Sequence, residues 1–474
     1  MRRRQKKFGW VSAACWVPRV FAVMALATTA SSNADERLPD IVLIMADDMG
    51  SECVGCYGGT SYSTPTIDRL ARQGARFTHA YSQPLCTNTR LQLMTGRYNH
   101  RNWEAFGILP QGSRTIAHIA RQAGYRTHLV GKWQLRSYDP PDFPNSERRR
   151  AMGMTIAEAG FDTSLAFHAG ETEDKGSRYA SPTLTRHNAS GQHTETLVGR
   201  YGPFVFADRV SELLREETAE PKFIYYPMAL PHRPFEPSPL SEDYTGSPPP
   251  KENPMHFESM MMAVDQCIAR IVQTLENLGT LDETLVIFYS DNGTHQAITS
   301  RMAGGRNIAG GKGLMTQNGI VVPLIVHCPE RIEPHVNDSL VDSTDFLATL
   351  AHWMQTTVKQ PHDGVEFATA AETGSRSKRE HVLIYFDPRP GWDKEAFGRQ
   401  ACVIDRQRKR FRDQRRFRLG PRPFDEVPVD ALVSGVDDAV QWEALENSLR
   451  AWLRDGEPPL VDAYGDPISD GRED

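Results

Sequence analysis

The segment Asp40-Ile41-Val42-Leu43-Ile44-Met45-Ala46-Asp47-Asp48 decides the fold. An unbroken apolar run ends abruptly in two carboxylates. A strand with one wet face would alternate apolar and polar residues, whereas a continuous run suits a strand buried on both faces of a sheet. The pattern recurs along the chain. Thr127-His128-Leu129-Val130-Gly131 leads into Lys132, and Lys222-Phe223-Ile224-Tyr225-Tyr226-Pro227-Met228 leads, a few residues on, into His232. Thr284-Leu285-Val286-Ile287-Phe288-Tyr289-Ser290 leads into Asp291-Asn292.

Helical patterns separate these runs. Thr64-Pro65 opens one, with a capping residue and a proline at the first helical position, and Gly74 closes it. Ile116, Ile119, Ala120 and Ala123 share a face before Gly124; Met261, Val264, Ile268, Ile271, Val272 and Leu275 form a longer stripe before Gly279. Alternating strands and helices imply an α/β domain with a largely parallel sheet. Ligands of open α/β sheets bind beyond the carboxyl ends of the strands. That rule gathers Asp47, Asp48, Lys132, His232, Asp291 and Asn292 at one rim.

Beyond about residue 360 the pattern changes. A polar stretch, Thr373 to Glu380, precedes shorter strand-like pieces such as Val382-Leu383-Ile384-Tyr385-Phe386. The expected organisation is a large unit over 35–365 and a smaller α+β domain over 380–474, with Trp442, Leu445, Leu449 and Trp452 on one helix near the end. The Pro- and Ser-rich run from Phe235 to Pro250 reads as a surface loop. Residues 1–34 combine a basic start, a short apolar core from Val20 to Ala27 and small residues, which describes a secretory signal and an exported, periplasmic or secreted product without stable membrane insertion. The net charge is −6, and the one basic cluster of the main chain, Arg406 to Arg418, is local, which argues against nucleic acid as a principal partner. The cysteines are scattered, so no dense disulfide framework is implied, and Cys53-x-x-Cys56 has no second pair to complete a zinc site.

Asp47-Asp48 and Asp291-Asn292 offer carboxylate and amide oxygens, the ligands that hard cations prefer. Pro84-Leu85-Cys86-Thr87-Asn88-Thr89-Arg90-Leu91-Gln92-Leu93-Met94-Thr95-Gly96-Arg97 looks like a loop entering a helix at Cys86, with Arg90 one turn later on the same face. A helix N-terminus and a guanidinium together stabilise an anion.

This stretch resembles the signature of the sulfatases, in which Cys or Ser is followed by Pro two residues on, Arg four residues on, and a short helix ending in Thr-Gly-Arg. Ala46-Asp47-Asp48, Gly131-Lys132-Trp133, Pro231-His232-Arg233-Pro234-Phe235, Ser290-Asp291-Asn292-Gly293 and Gly311-Lys312-Gly313 with Gly319-Ile320-Val321-Val322-Pro323 stand in that family's order, from about Pro39 to about Leu350. The resemblance implies a fold like alkaline phosphatase: a mixed, largely parallel sheet flanked by helices. It implies a calcium ion, in preference to magnesium, held by Asp47, Asp48, Asp291, Asn292 and residue 86, where a formylglycine-generating enzyme has converted Cys86 to formylglycine. The hydrated aldehyde attacks sulfur with one hydroxyl and expels sulfate with the help of the other. The resemblance further implies that Arg90, Lys132 and Lys312 neutralise the sulfate ester and that His232, assisted by Lys312, protonates the leaving alcohol.

Two residues depart from the family pattern. Asn88 stands where the maturation signal has proline. Gln134 stands where histidine follows Gly-Lys-Trp; an amide can bond a hydroxyl or sulfate oxygen but cannot accept a proton near neutral pH. His168, after another strand-like piece, is a further candidate for contact with substrate, for which an exported location favours a sulfated glycan or another extracellular sulfate ester. The alternatives are a phosphodiesterase or phosphonate monoester hydrolase of the same superfamily, and a noncatalytic binder of sulfated sugars.

Overall fold

The computed structural model describes Gly9 and residues 38–468, without 138, 140–142, 144, 171–175, 392–393, 395–396, 430–435, 455 and 463. Leu38–Asp474 form one compact unit. The expected leader at 1–34 lies, Gly9 apart, outside the described residues. No helix among the described residues is long and apolar enough to cross a membrane.

In chain order the strands are β1 (Ile41–Ala46), β2 (Ala75–Tyr81), β3 (Arg126–Lys132), β4 (Thr163–Phe167), β5 (Thr183–Asn188), β6 (Gly191–Thr196), β7 (Lys222–Pro227), β8 (Leu285–Ser290), β9 (Thr299–Arg301), β10 (Asn307–Ala309), β11 (Leu324–His327), β12 (His335–Asp342), β13 (Val382–Phe386), β14 (Gln400–Ile404), β15 (Arg408–Phe411), β16 (Arg416–Leu419) and β17 (Glu426–Pro428). The α-helices are α1 (Pro65–Arg72), α2 (Cys86–Thr95), α3 (Asn99–Asn102), α4 (Ile116–Gln122), α5 (Gly202–Arg215), α6 (Phe257–Leu278), α7 (Gln317–Ile320), α8 (Asp345–Trp353), α9 (Ala368–Thr373) and α10 (Val436–Leu453).

A ten-stranded sheet runs in the order β12-β2-β11-β8-β1-β7-β3-β4-β5-β6. Its centre, β8-β1-β7-β3-β4, is parallel throughout. Antiparallel pairs appear only toward the two margins, at β11 and at the β5–β6 hairpin. The continuous apolar runs are explained by two-sided burial. Along β1, Ile41, Leu43 and Met45 join one hydrophobic cluster with residues of α2, α4 and α8, while Val42, Ile44 and Ala46 join another with residues of α1, α5 and α6. Such pleated alternation within an all-apolar strand needs helices on both faces.

One local detail differs from the sequence reading. Thr64 precedes α1, but its side chain does not cap that helix. Its hydroxyl instead accepts from the Gly55 amide at 2.9 Å and donates to Asp68 at 3.3 Å.

A second sheet, β13-β14-β15-β16-β17, is antiparallel. Ile384, Phe386, Cys402 and Ile404 pack toward Tyr81, Phe106 and Ile320, whereas Leu383, Tyr385 and Val403 pack under Trp442, Leu445 and Leu449 of α10. The basic residues at 406–418 are largely absorbed by acids: Arg408 meets Asp405, Lys409 meets Glu426, Arg410 meets Glu446 and Arg412 meets Glu457. A cluster so compensated presents little field to a polyanion.

Candidate active site

Every strand of the parallel block delivers a polar residue at its carboxyl end. Asp47 and Asp48 follow β1, Lys132 ends β3, His168 follows β4, His232 lies beyond β7, and Asp291 and Asn292 follow β8. The left-handed backbone of three non-glycine residues, Asp48 (φ 67°), Gln134 (φ 51°) and His168 (φ 59°), marks the same rim. Such conformations cost energy and concentrate where function fixes a side chain.

The acids and cations interlock. Lys132 Nζ donates to Asp47 Oδ2 at 2.8 Å and Lys312 Nζ to Asp48 Oδ2 at 2.6 Å. Arg90, 1% exposed, donates to Asp291 Oδ2 from Nε at 3.1 Å and from Nη2 at 2.8 Å. The Asn292 amide donates to Asp48 Oδ1 at 2.8 Å, and the Asp48 backbone N–H to Asp291 Oδ1 at 3.1 Å. Burial alone would raise the Asp47 carboxyl, but Lys132, Arg90 and Lys312 hold it below its ordinary range. Burial, with repulsion from Asp47, moves Asp291 upward. Burial would lower Lys312, and Asp48, with Cys86 and Asp47, more than offsets it. His232 is driven well below the usual imidazole value by burial and by Lys312, Lys132 and Arg178.

Asp47 Oδ1 and Asn292 Oδ1 are buried and have no hydrogen-bond partner. Ligand atoms of Asp47, Asp48 and His232 lie within 4.8 Å of one another. Two orphaned oxygens of a hard donor set therefore fit a divalent cation such as calcium. Of the four expected oxygen ligands, Asp48 and Asp291 are the more committed elsewhere, since both oxygens of each already accept hydrogen bonds.

Cys86 is the first residue of α2, 2% exposed, and its thiol donates to Gln134 Oε1 at 3.5 Å. It lines a cavity of about 520 Å³ together with Lys132, Gln134, His168, His232 and Lys312. Arg90, Asp47 and Asp291 are not among the residues that line it; Arg90 is instead bonded to Asp291. Close backbone approach holds the far wall: a side chain on Gly293 would meet Asn318 O at 2.1 Å, and one on Gly319 would meet Leu314 O at 2.1 Å. Gly293 N donates to Gly319 O and Lys312 N to Thr294 O, each at 3.0 Å.

The model of the family described as Sulfatase matches residues 39–356. Human arylsulfatase A is 31% identical over 405 residues, covering 81% of this chain and 77% of that protein. The chain belongs to the sulfatase family. It is a sulfatase, an enzyme that hydrolyses sulfate esters. An N-acetylgalactosamine-6-O-sulfatase of Bacteroides thetaiotaomicron is 27% identical over 382 residues, covering 68% of this chain and 73% of that protein. The fold is also that of a phosphonate monoester hydrolase of Agrobacterium radiobacter, at 20% identity and a TM-score of 0.65 over 87% of this chain and 95% of that one.

Some features of this sulfatase site had no sequence cue. Glu52 and Thr294 join the two acid-bearing loops: Thr294 Oγ1 accepts from the Gly50 amide at 3.0 Å and donates to Glu52 Oε1 at 2.5 Å. Arg178, Lys394 and Phe397 reach the cavity from irregular segments. Cys53 and Cys56 are free, and burial pushes both thiols up, Cys56 to about 12.

Proposed function

We propose that this sulfatase is an exported enzyme that uses formylglycine at position 86, made from Cys86 by a formylglycine-generating enzyme, and a calcium ion to release sulfate from an organic sulfate ester, with a sulfated glycan as a substrate class. The observation that carries this reading is the convergence of Cys86 with Lys132, His232 and Lys312 on one cavity, together with two buried oxygens, on Asp47 and Asn292, that lack hydrogen-bond partners. Asp47, Asp48, Asp291 and Asn292 are the residues that would hold the cation. The cation supplies a Lewis acid for the sulfate oxygens. Formylglycine at 86 would supply, as its hydrate, a second hydroxyl that an ordinary serine or cysteine lacks.

The side chains of this chain do the rest. Lys132 and Lys312 place ammonium charge beside the sulfate, where a buried site makes it count for more than in water. His232, with Nε2 3.7 Å from Asp48, is the proposed proton donor to the departing alcohol; burial and the neighbouring cations disfavour its charged form, so the proton it passes on comes from Lys312, the neighbouring ammonium that shares this task. Gln134 and His168 bond the substrate from the rim. Gln134 cannot act as a base, so sulfate release relies on another group. Residues 35–365 form the catalytic segment, and 380–474 form a smaller domain that contributes Lys394 and Phe397 to the cavity wall.

Mass spectrometry of the peptide containing residue 86, from protein made in its native host, tests the cofactor: aldehyde formation lowers the mass by about 18 Da. The same protein should cleave 4-nitrophenyl sulfate with kcat/KM at least about 100-fold above that for an aryl phosphonate monoester or phosphate diester. The reverse preference would assign it to phosphonate or phosphodiester chemistry, and an intact thiol with binding but no turnover would make it a sulfate-sugar binder.

A further inference from the structure

Arg178, between β4 and β5, enters the cavity and has no role so far. Its Nη1 lies 3.1 Å from His232 Nδ1, and its guanidinium carbon sits 4.8 Å from the centre of the Phe167 ring. No carboxylate among the described residues lies within ion-pair distance of it. Arg233, at the same rim, is instead bound to Glu252.

The segment that carries Arg178 is fixed. The Gly202 amide donates to Tyr179 O at 2.8 Å and the Thr183 amide to Ser177 O at 3.0 Å. The Tyr179 hydroxyl donates to Ala229 O at 2.7 Å and also reaches His232 O. A half-buried guanidinium stacked on an aromatic face, with no ion pair among the described residues and only the more distant Glu236 as a neighbouring carboxylate, is arranged to receive a carboxylate or sulfate in its fork.

Its position tells which anion. His232 turns Nε2 toward Asp48 and Nδ1 toward Arg178 and the Arg233 carbonyl. The guanidinium therefore lies across the His232 ring from Asp48, where it can meet a substituent on the same or the adjoining sugar unit. Resting on the sulfatase reading above, we infer that Arg178 binds a second anionic group of the substrate, so that the preferred substrates are sulfate esters bearing two negative groups, the second a carboxylate or another sulfate.

The test compares the wild type with Arg178→Gln, which keeps a planar donor for His232 but removes the charge. The substrates are a monosulfated glycoside, a disulfated glycoside and a monosulfated disaccharide carrying a uronate. The ratio of kcat/KM for each two-anion substrate to that for the monosulfated glycoside should exceed 1 in the wild type and fall by about 10- to 100-fold in the variant, whatever loss through His232 is common to all three. The disulfate and uronate arms separate the two anion sources; a fall in either ratio supports the inference. Unchanged ratios, or a wild type with no preference for two anions, overturn it. Titration of the same three ligands into Cys86→Ala protein, with and without Arg178→Gln, reads the ratio as binding. A binding ratio that depends on Arg178 without any turnover would refute the sulfatase reading and leave the anion site standing. Turnover with ratios indifferent to Arg178 would do the opposite.

Discussion

Asn88 is buried in the first turn of α2 with neither its Oδ1 nor its Nδ2 bonded. An unpaired buried amide costs roughly 1–3 kcal/mol. Position 88 lies in the helix's first turn, where backbone N–H groups have no intrahelical acceptor, so proline there sacrifices no helical bond. Asn88→Pro also restores the family's maturation signal. The variant is expected to melt no lower than the wild type and to carry a larger fraction of aldehyde at residue 86; calorimetry and peptide mass spectrometry check the two halves separately. Glu52 is a second residue whose burial has a measurable consequence. Its Oε2 has no partner, and burial pushes its carboxyl from 4.5 up to about 7, with the Thr294 hydroxyl opposing the shift. Between those values the folded protein holds a proton that the unfolded chain releases, so this group's contribution to stability declines as pH rises from 4.5 to about 7 and is level above. Glu52→Gln keeps an acceptor for Thr294 and cannot ionise. Urea unfolding should show the variant gaining on the wild type from about pH 5 to about pH 8, by at most about 3 kcal/mol; a gap that does not widen would mean Glu52 ionises normally.

At the scale of elements, the loops after β1 and β8 are cross-linked before any ligand is considered: Met49 N donates to Ser290 Oγ at 3.3 Å, and Thr294 joins Gly50 to Glu52. Thr294→Val leaves a buried amide and a buried carboxyl without that partner. The expected cost is about 1–3 kcal/mol by denaturant, with calcium affinity weaker by about 10-fold in titration calorimetry; a stability loss at unchanged affinity would confine Thr294 to structure. The central strands were legible because parallel strands buried on both faces must be apolar throughout, and their ends must then turn polar. β5 and β6 were not, since Arg186, His187, Gln192 and His193 on a margin hairpin follow no apolar period. Arg178 was equally invisible: nothing in its local sequence signals that the fold brings it beside His232. Cys86, Lys132 and Lys312 could be named because their neighbours formed recognisable motifs, whereas the ion pairs that orient them, and the turning of Arg90 toward Asp291, arise only from tertiary contacts.

At the scale of the whole molecule, one buried cation ties the approach to the second sheet back to the first. Arg379, ahead of β13, donates to both oxygens of Asp345 at the start of α8 and to the Tyr98 hydroxyl at 2.9 Å, and it lies 3.2 Å from Asp342 at the end of β12. Removing one member of such a set strands the others without compensation. Arg379→Met is expected to destabilise the fold by about 3–5 kcal/mol, and Asp345→Asn in the same chain to recover part of the loss; thermal and urea unfolding of the single and double variants decide it. The close-packed backbone around Gly293 and Gly319 acts over a shorter range but as firmly. Because the amides of Gly293 and Lys312 are bonded within it, deuterium should reach them only when the entire unit opens. Asp291 and Asn292 after β8 and the lysine that faces the cavity then behave as one rigid casting, and substrates of different shape must be accommodated by the opposite wall.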